Sequence, residues 1–257
     1  MKTVIVTGAS RGIGLAIAQH LLESDSVFVV GTGRSGSVGN TGLTRLVEDR
    51  RFSYIQGDVC EAATQQRCID AALAFGHGLH AVVFNAGVID PVERIANINM
   101  NALTQSLFNT NLFSIVALAK LAIPHLNHNT SGTKGRMIFV SSGAAVSAYA
   151  GWGAYCMSKA ALNMLAMTLA KEEPDIISFA LRPGVVATEM QQTIRSESSA
   201  SAMGAEAHGQ FKKLLEDSQL LDPAVPGKLV ANLVLDMDAD LSGQFLSWND
   251  ERLRKHL

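Results

Sequence analysis

Short β-branched and apolar runs alternate with longer helical stretches along this chain, and that rhythm limits its fold more than any other feature. The runs are Thr3–Thr7, Val27–Val30, Ser53–Gln56, His80–Asn85, Arg136–Ser141, Asp175–Leu181 and Gly243–Ser247. Helical patterns lie between them, near residues 12–24, 61–75, 101–126, 154–172 and 223–235. Continuous apolar strands separated by helices predict a parallel sheet covered on both faces. No Pro/Gly/Ser-rich linker interrupts the rhythm over the 257 residues. The expectation is therefore one doubly wound α/β domain spanning 1–257, of Rossmann type, with a mostly parallel seven-stranded sheet.

Composition removes several function classes. Apolar residues make up 47% and charged residues 17%, too apolar a mixture for disorder. Lys and Arg number 21 against 23 Asp and Glu, so no basic excess marks nucleic acid or an anionic membrane surface as the partner. Uninterrupted apolar runs such as Ile115 to Ala119 are far shorter than the ~18 residues of a membrane span. The first residues, Met1-Lys2-Thr3-Val4-Ile5-Val6, lack the pattern of a signal peptide. Cys60, Cys68 and Cys156 are odd in number and not in metal-ligand spacing, which predicts reduced thiols and a cytoplasmic setting. The sequon Asn129-Thr130-Ser131 carries little weight without a secretory route. The pairs His77/His80 and His125/His128 have no third ligand patterned nearby, so no metal site is expected.

Two stretches break the rhythm. Residues 34–44 are rich in Gly, Ser and Thr and read as a loop after the second strand. Residues 189–221 include Ser196–Gly204, which fits no buried element, and read as a lid or a disordered segment at the carboxyl edge of the sheet.

Three motifs carry chemistry. Thr7-Gly8-Ala9-Ser10-Arg11-Gly12-Ile13-Gly14 follows a strand and opens a helix. Glycines there allow a tight turn and let a pyrophosphate approach backbone N–H groups at a helix N-terminus. A ligand-free helix entry is the competing reading. Tyr155 and Lys159 stand at i, i+4 and so share one helix face. An ammonium beside a phenol lowers the phenol pKa, and the pair can pass a proton to a carbonyl oxygen. Ser142, thirteen residues before Tyr155, ends an apolar strand, and its hydroxyl can hold a substrate oxygen. Taken alone, the first pair reads as an exposed helix face and the serine as a cap. Charge decides the cofactor. No acid ends the second strand; Arg34 stands there, 20 residues past Gly14, with Arg11 in the glycine loop. Two guanidinium groups suit a ribose 2′-phosphate and predict NADP(H) over NAD(H).

Thr7–Gly14, Asn85-Ala86-Gly87, Ser142, Tyr155-x-x-x-Lys159 and Arg182-Pro183-Gly184-x-x-x-Thr188 occur in the order and spacing of the short-chain dehydrogenases/reductases, which the whole chain resembles. The stretch Gly151–Glu173, with Gln219–Asp222 and Ser242–Ser247, is similar to a fungal branch related to sepiapterin reductase and benzil reductase. The resemblance implies a carbonyl reductase with Tyr155 as general acid. Lys159 would tune it and hold the nicotinamide ribose, Ser142 would orient the carbonyl, and Asn111 would support a proton-relaying water. It implies a cofactor site of Gly8, Ser10, Arg11, Gly12, Ile13, Gly14, Arg34, Asp58, Val59, Asn85, Ala86, Gly87, Tyr155, Lys159, Pro183, Gly184, Val186 and Thr188. Asn111, Asp58 and Asn85 could equally bond only to backbone. A 3-oxoacyl-carrier-protein reductase, with Lys212 and Lys213 as a thin basic patch, and a non-catalytic nucleotide-binding redox sensor remain the alternatives. The expected partner is a small carbonyl compound. Met190, Met203, Phe211, Leu214, Leu215, Trp152 and Tyr149 suggest an apolar pocket for it. The helices near 112–125 and 154–172 are apolar almost all round, which predicts a homodimer or homotetramer unless the lid covers them.

Overall fold

The computed structural model describes residues 1–36, 41–127 and 132–257. The sequon at 129–131, His128 and part of the 34–44 loop lie outside the described residues.

The strands are β1 (Lys2–Thr7), β2 (Val27–Gly33), β3 (Phe52–Gln56), β4 (Leu79–Phe84), β5 (Gly135–Val140), β6 (Ile176–Arg182) and β7 (Phe245–Ser247). All pair in parallel in one sheet of order β3-β2-β1-β4-β5-β6-β7. Alternate side chains serve opposite faces. Val4, Val6, Ala81, Val83, Ile138 and Val140 pack on one side with α1 (Gly12–Leu22) and α9 (Ala224–Leu235). Ile5, Val82, Phe84, Met137 and Phe139 pack on the other with α3 (Ala62–Ala74), α4 (Ser114–Asn127) and α5 (Gly153–Glu172). Phe84 and Phe139 stack there with ring centres 4.7 Å apart. Both strand faces are buried, which is why these strands are apolar throughout rather than alternating.

Residues 34–44 are not wholly a loop: α2 begins at Thr41 and runs to Val47. Leu43 and Leu46, three apart, are buried against the sheet, a short apolar pattern masked by its Gly- and Thr-rich flank. The stretch 189–221 is likewise not disordered. It holds α6 (Glu189–Ile194), α7 (Glu197–Met203) and α8 (Ala205–Glu216). Small Ser and Ala side chains made α7 look like a loop, yet Ser199, Ala202 and Met203 are its buried face. The excursion closes on itself, because the Leu221 N–H donates to the Val185 carbonyl and the Ala187 N–H to that of Leu221.

Residues Ala102–Phe113 are wound as a π-helix that continues into α4. By length and composition alone, 102–127 would suffice to cross a membrane. Here its Leu118, Ala119, Ala122 and Leu126 pack on the sheet. Phe113 and Val116 stay exposed on its outer side, as do Met157, Met164 and Met167 on α5, so the lid does not cover that apolar face.

Candidate active site

The sheet reverses its winding between β1 and β4, and the chains leaving those strands diverge to open a crevice at their carboxyl ends. A cavity of about 880 Å³ occupies it. Its walls include Gly8, Ser10, Arg11, Gly12, Ile13, Arg34, Asp58, Val59, Asn85, Ala86, Gly87, Ser142, Tyr155, Lys159, Pro183, Gly184, Val186 and Thr188. The tertiary structure thus gathers nearly every residue marked from sequence onto one surface. Gly14 and Asn111 do not line it and act from behind.

The glycine loop is a cradle with no room for side chains. Gly8 takes a φ of +67°, and a β-carbon on Gly14 would collide with the Gly8 carbonyl and the Asn85 amide. A backbone bared this way, entering α1, fits a dinucleotide pyrophosphate. Arg11 does not face the cavity alone. It forms an ion pair with Glu189 at the start of α6, 2.5 Å away. Arg34 has no side-chain partner among the described residues.

Asn85 and Asp58 line the cavity and also bond to backbone. Asn85 Nδ2 donates to the carbonyls of Thr7 (2.9 Å) and Gly8 (3.2 Å). Asp58 Oδ1 accepts the Cys60 N–H at 2.8 Å. Both hold the cavity wall in shape. Asn111 is wholly buried. Its Oδ1 accepts the Val88 N–H (2.8 Å), and its Nδ2 donates to the Val88 carbonyl (2.8 Å) and to Ser158 Oγ (3.1 Å). Its amide is therefore a strut between the loop after β4 and α5. It faces Lys159 across Gly87, where a β-carbon would sit 3.4 Å from Asn111 Oδ1 and 3.6 Å from Lys159 Nζ.

Tyr155 and Lys159 project from the buried face of α5 beneath an aromatic cluster. Burial pushes the Tyr155 phenol up to about 12, although a hydrogen bond with the Ser142 hydroxyl pulls it back part of the way. Burial lowers the Lys159 ammonium to about 8. Its Nζ donates to the Val140 carbonyl at 2.8 Å and lies 5.7 Å from the Tyr155 ring centre. Desolvation, which penalises the charged form of each group, dominates both shifts.

Several contributors were not legible. Thr7 Oγ1 accepts the N–H groups of both Asn85 and Ala86 at 3.0 Å. Ser158 Oγ donates to the Tyr155 carbonyl at 2.8 Å and accepts from Asn111. Neither follows a spacing rule, because each depends on a partner from a distant element. Ile89, Gln191, Arg182 and Arg195 also line the cavity. Of the apolar pocket set, Met190, Phe211, Leu215, Trp152 and Tyr149 line it, whereas Met203 and Leu214 pack in the cluster behind. His80, one of the candidate pairs, is buried against Arg136 Nη1 at 2.5 Å. Among the described residues, no three His, Cys, Asp or Glu side chains are grouped to hold a metal.

Residues 2–199 match the family described as short chain dehydrogenase. The chain is 39% identical to a Saccharomyces cerevisiae benzil reductase ((S)-benzoin forming), covering 98% of this chain and 97% of that one. It is 30% identical to the sepiapterin reductase of Meriones unguiculatus, covering 96% and 95%. A crystal structure of a short chain dehydrogenase/reductase from Saccharomyces cerevisiae superposes with a TM-score of 0.93 at 39% identity, over 100% of both chains.

The Asn111 strut gives a direct test. Asn111→Leu strands the Val88 N–H and carbonyl in the interior and should destabilise the protein by about 1–3 kcal/mol. Urea unfolding should show a lower midpoint with an unchanged slope; an unchanged midpoint would remove the strut.

Proposed function

The chain belongs to the short-chain dehydrogenases, and from that premise we propose that it is an NADPH-dependent reductase of ketones and α-diketones. The observation that carries this reading is the buried Tyr155 beside Ser142 and Lys159 in the wall of the cavity. When bound, the reduced nicotinamide cofactor supplies a hydride to the carbonyl carbon. The Ser142 hydroxyl orients the carbonyl oxygen by hydrogen bonding. Tyr155 donates its proton to that oxygen as negative charge develops there. Lys159 stabilises the phenolate left behind, and Asn111 positions α5 and the Val88 loop around it. A module that only bound nucleotide could use Lys159 for the ribose but would not need Ser142 and Tyr155 beside it, so the set together supports catalysis. Of the thin basic patch in the carrier-protein reading, Lys212 Nζ pairs with Glu197 at 2.8 Å and Lys213 is exposed.

The glycine cradle of Gly8, Gly12 and Gly14 fits the cofactor's pyrophosphate, and Pro183, Gly184, Val186 and Thr188 flank the nicotinamide half in this reading. Arg34, with no carboxylate partner, supports the preference for NADP(H); Arg11 joins it when released from Glu189. Helices α6–α8 act as the cover over substrate. The unpaired thiols suit a cytoplasmic location. The methionine-rich face of α5 with Phe113 and Val116 supports a homo-oligomer, and light scattering should give a particle of at least twice the 27.3 kDa chain mass. A monomer at micromolar concentration would defeat that assembly.

Tyr155→Phe should lower ketone reduction by about 10²–10⁴-fold while cofactor binding, read by NADPH fluorescence, persists. Less than a tenfold loss of kcat would remove Tyr155 from its role. Because the phenol pKa is raised, the phenolate required for alcohol oxidation is scarce at neutral pH. Oxidation should therefore climb with pH in the parent protein, while reduction does not depend on that ionisation.

One arginine on the 2′-phosphate corresponds to about 10–150-fold in affinity. Arg34→Asp should repel the phosphate and offer an acceptor to the NADH 2′-hydroxyl, raising the KM for NADPH most. An unchanged NADPH:NADH ratio of kcat/KM would return the choice to NAD.

A further inference from the structure

Arg182 is the last residue of β6, immediately before Pro183-Gly184, and its side chain lines the same cavity as Ser142 and Tyr155. The pairing of β5 with β6 sets its position. Val140 opposes Leu181, and the Ser141 N–H donates to the Leu181 carbonyl at 2.8 Å. Ser142 and Arg182 therefore leave the same sheet edge from neighbouring strands. The guanidinium then lies across Gly143, the residue next to Ser142. A β-carbon on Gly143 would come within 2.9 Å of Arg182 Nε and 3.0 Å of Cζ.

Arg182 is exposed, and its side chain has no hydrogen-bond or ion-pair partner among the described residues. The carboxylates lining the cavity do not serve it. Glu189 is taken by Arg11, and Asp58 caps the Cys60 N–H on the β3 side. Among the described residues, the Arg195 guanidinium, which also lines the cavity, bonds to the neutral Gln191 Oε1 at 3.2 Å and to no carboxylate. An unpaired forked donor thus reaches the residue next to Ser142, in a pocket whose walls include Tyr149, Trp152, Phe211 and Met190. Guanidinium forks match paired or planar oxygen acceptors.

We propose that Arg182 is a specificity-determining residue that binds a second acceptor oxygen on the carbon next to the reacting carbonyl, so that the enzyme selects vicinal dicarbonyl compounds bearing an aryl group over isolated ketones. This rests on the reductase reading above and names the substrate class of the same site. The second oxygen belongs to a ketone or to a carboxylate; both offer the same acceptor in the same place. Ser142 and Tyr155 hold the oxygen that becomes the hydroxyl. Arg182 holds its neighbour, which fixes the carbonyl plane and decides which of two carbonyls is reduced. The aromatic wall takes the aryl group.

The test compares 1-phenyl-1,2-propanedione, phenylglyoxylate and propiophenone in the parent protein, Arg182→Met and Arg182→Lys. Propiophenone has the same aryl ketone without the second oxygen. Loss of a charge-assisted contact at an open site should lower the dione:propiophenone ratio of kcat/KM by about tenfold in Arg182→Met. Arg182→Lys should recover part of the ratio, having charge but no fork. A selective fall for phenylglyoxylate would identify the carboxylate as the natural acceptor; a selective fall for the dione would identify the ketone. Where propiophenone turns over too slowly to time, its inhibition constant against the dione replaces kcat/KM. A purely structural role would depress all substrates together and leave the ratio unmoved, and that result overturns the assignment while leaving the reductase reading intact. If the parent oxidises neither NADPH nor NADH with any of the three, the reductase reading and the assignment fall together.

Discussion

The rest of this site depends on one hydrogen-bonded junction, where the carboxyl ends of β1 and β4 part company. Thr7 Oγ1 accepts two N–H groups from Asn85 and Ala86 and donates to the Val83 carbonyl at 3.3 Å, which uses all the capacity of a hydroxyl. Asn85 returns both of its amide hydrogens to Thr7 and Gly8. The junction sits where the helices must leave in opposite directions, the only place where a doubly wound sheet opens a crevice. Without it the glycine loop has no fixed floor, and the bare backbone entering α1 could not be presented to a phosphate group.

From that floor outward, burial governs the chemistry. Tyr155 and Lys159 lie beneath a cluster of Trp152, Phe211, Ile89 and Ile194, so each is charged only at an electrostatic penalty. The phenol stays protonated, and the lysine sits at about 8, close enough to neutrality to exchange protons. The two are held in place by polar groups that are themselves fully used. Asn111 ties Val88 to Ser158, and Ser158 ties back to the Tyr155 carbonyl. Such a closed network tolerates burial because no member is left unpaired.

The aromatic side of the cavity is built differently. The strand ends meet there with α6–α8, which contribute Met190, Ile194, Phe211 and Leu215 to the wall from an excursion whose two ends are pinned together by Val185, Ala187 and Leu221. Phe211 on α8 meets Trp152 with ring centres 5.1 Å apart, and Trp152 meets Tyr155 edge-on at 6.1 Å. Two ring contacts thus run from α8 to Tyr155. The ion pair from Arg11 to Glu189 links the glycine loop to the same excursion.

The sequence by itself determined the fold class, because apolar strands buried on both faces leave a local signature that needs no partner to be read. It also fixed the register of Tyr155 and Lys159, one helical turn apart, and the glycine spacing, since these are properties of single elements. It misread α2 and α7, where two or three buried side chains in a background of Gly, Ser and Thr give too little periodicity to stand out. Only the tertiary structure decided what the polar residues do. Asn85, Asp58 and Asn111 became struts because backbone groups from elements far away in sequence arrived within hydrogen-bonding distance. The direction of the Tyr155 shift was decided the same way. Spacing showed the ammonium nearby, but the depth of burial is a property of the assembled core, and burial is what raises the phenol. Arg182 gained its place beside Ser142 from the pairing of β5 with β6 and from the missing side chain at Gly143, neither of which can be seen along a single chain.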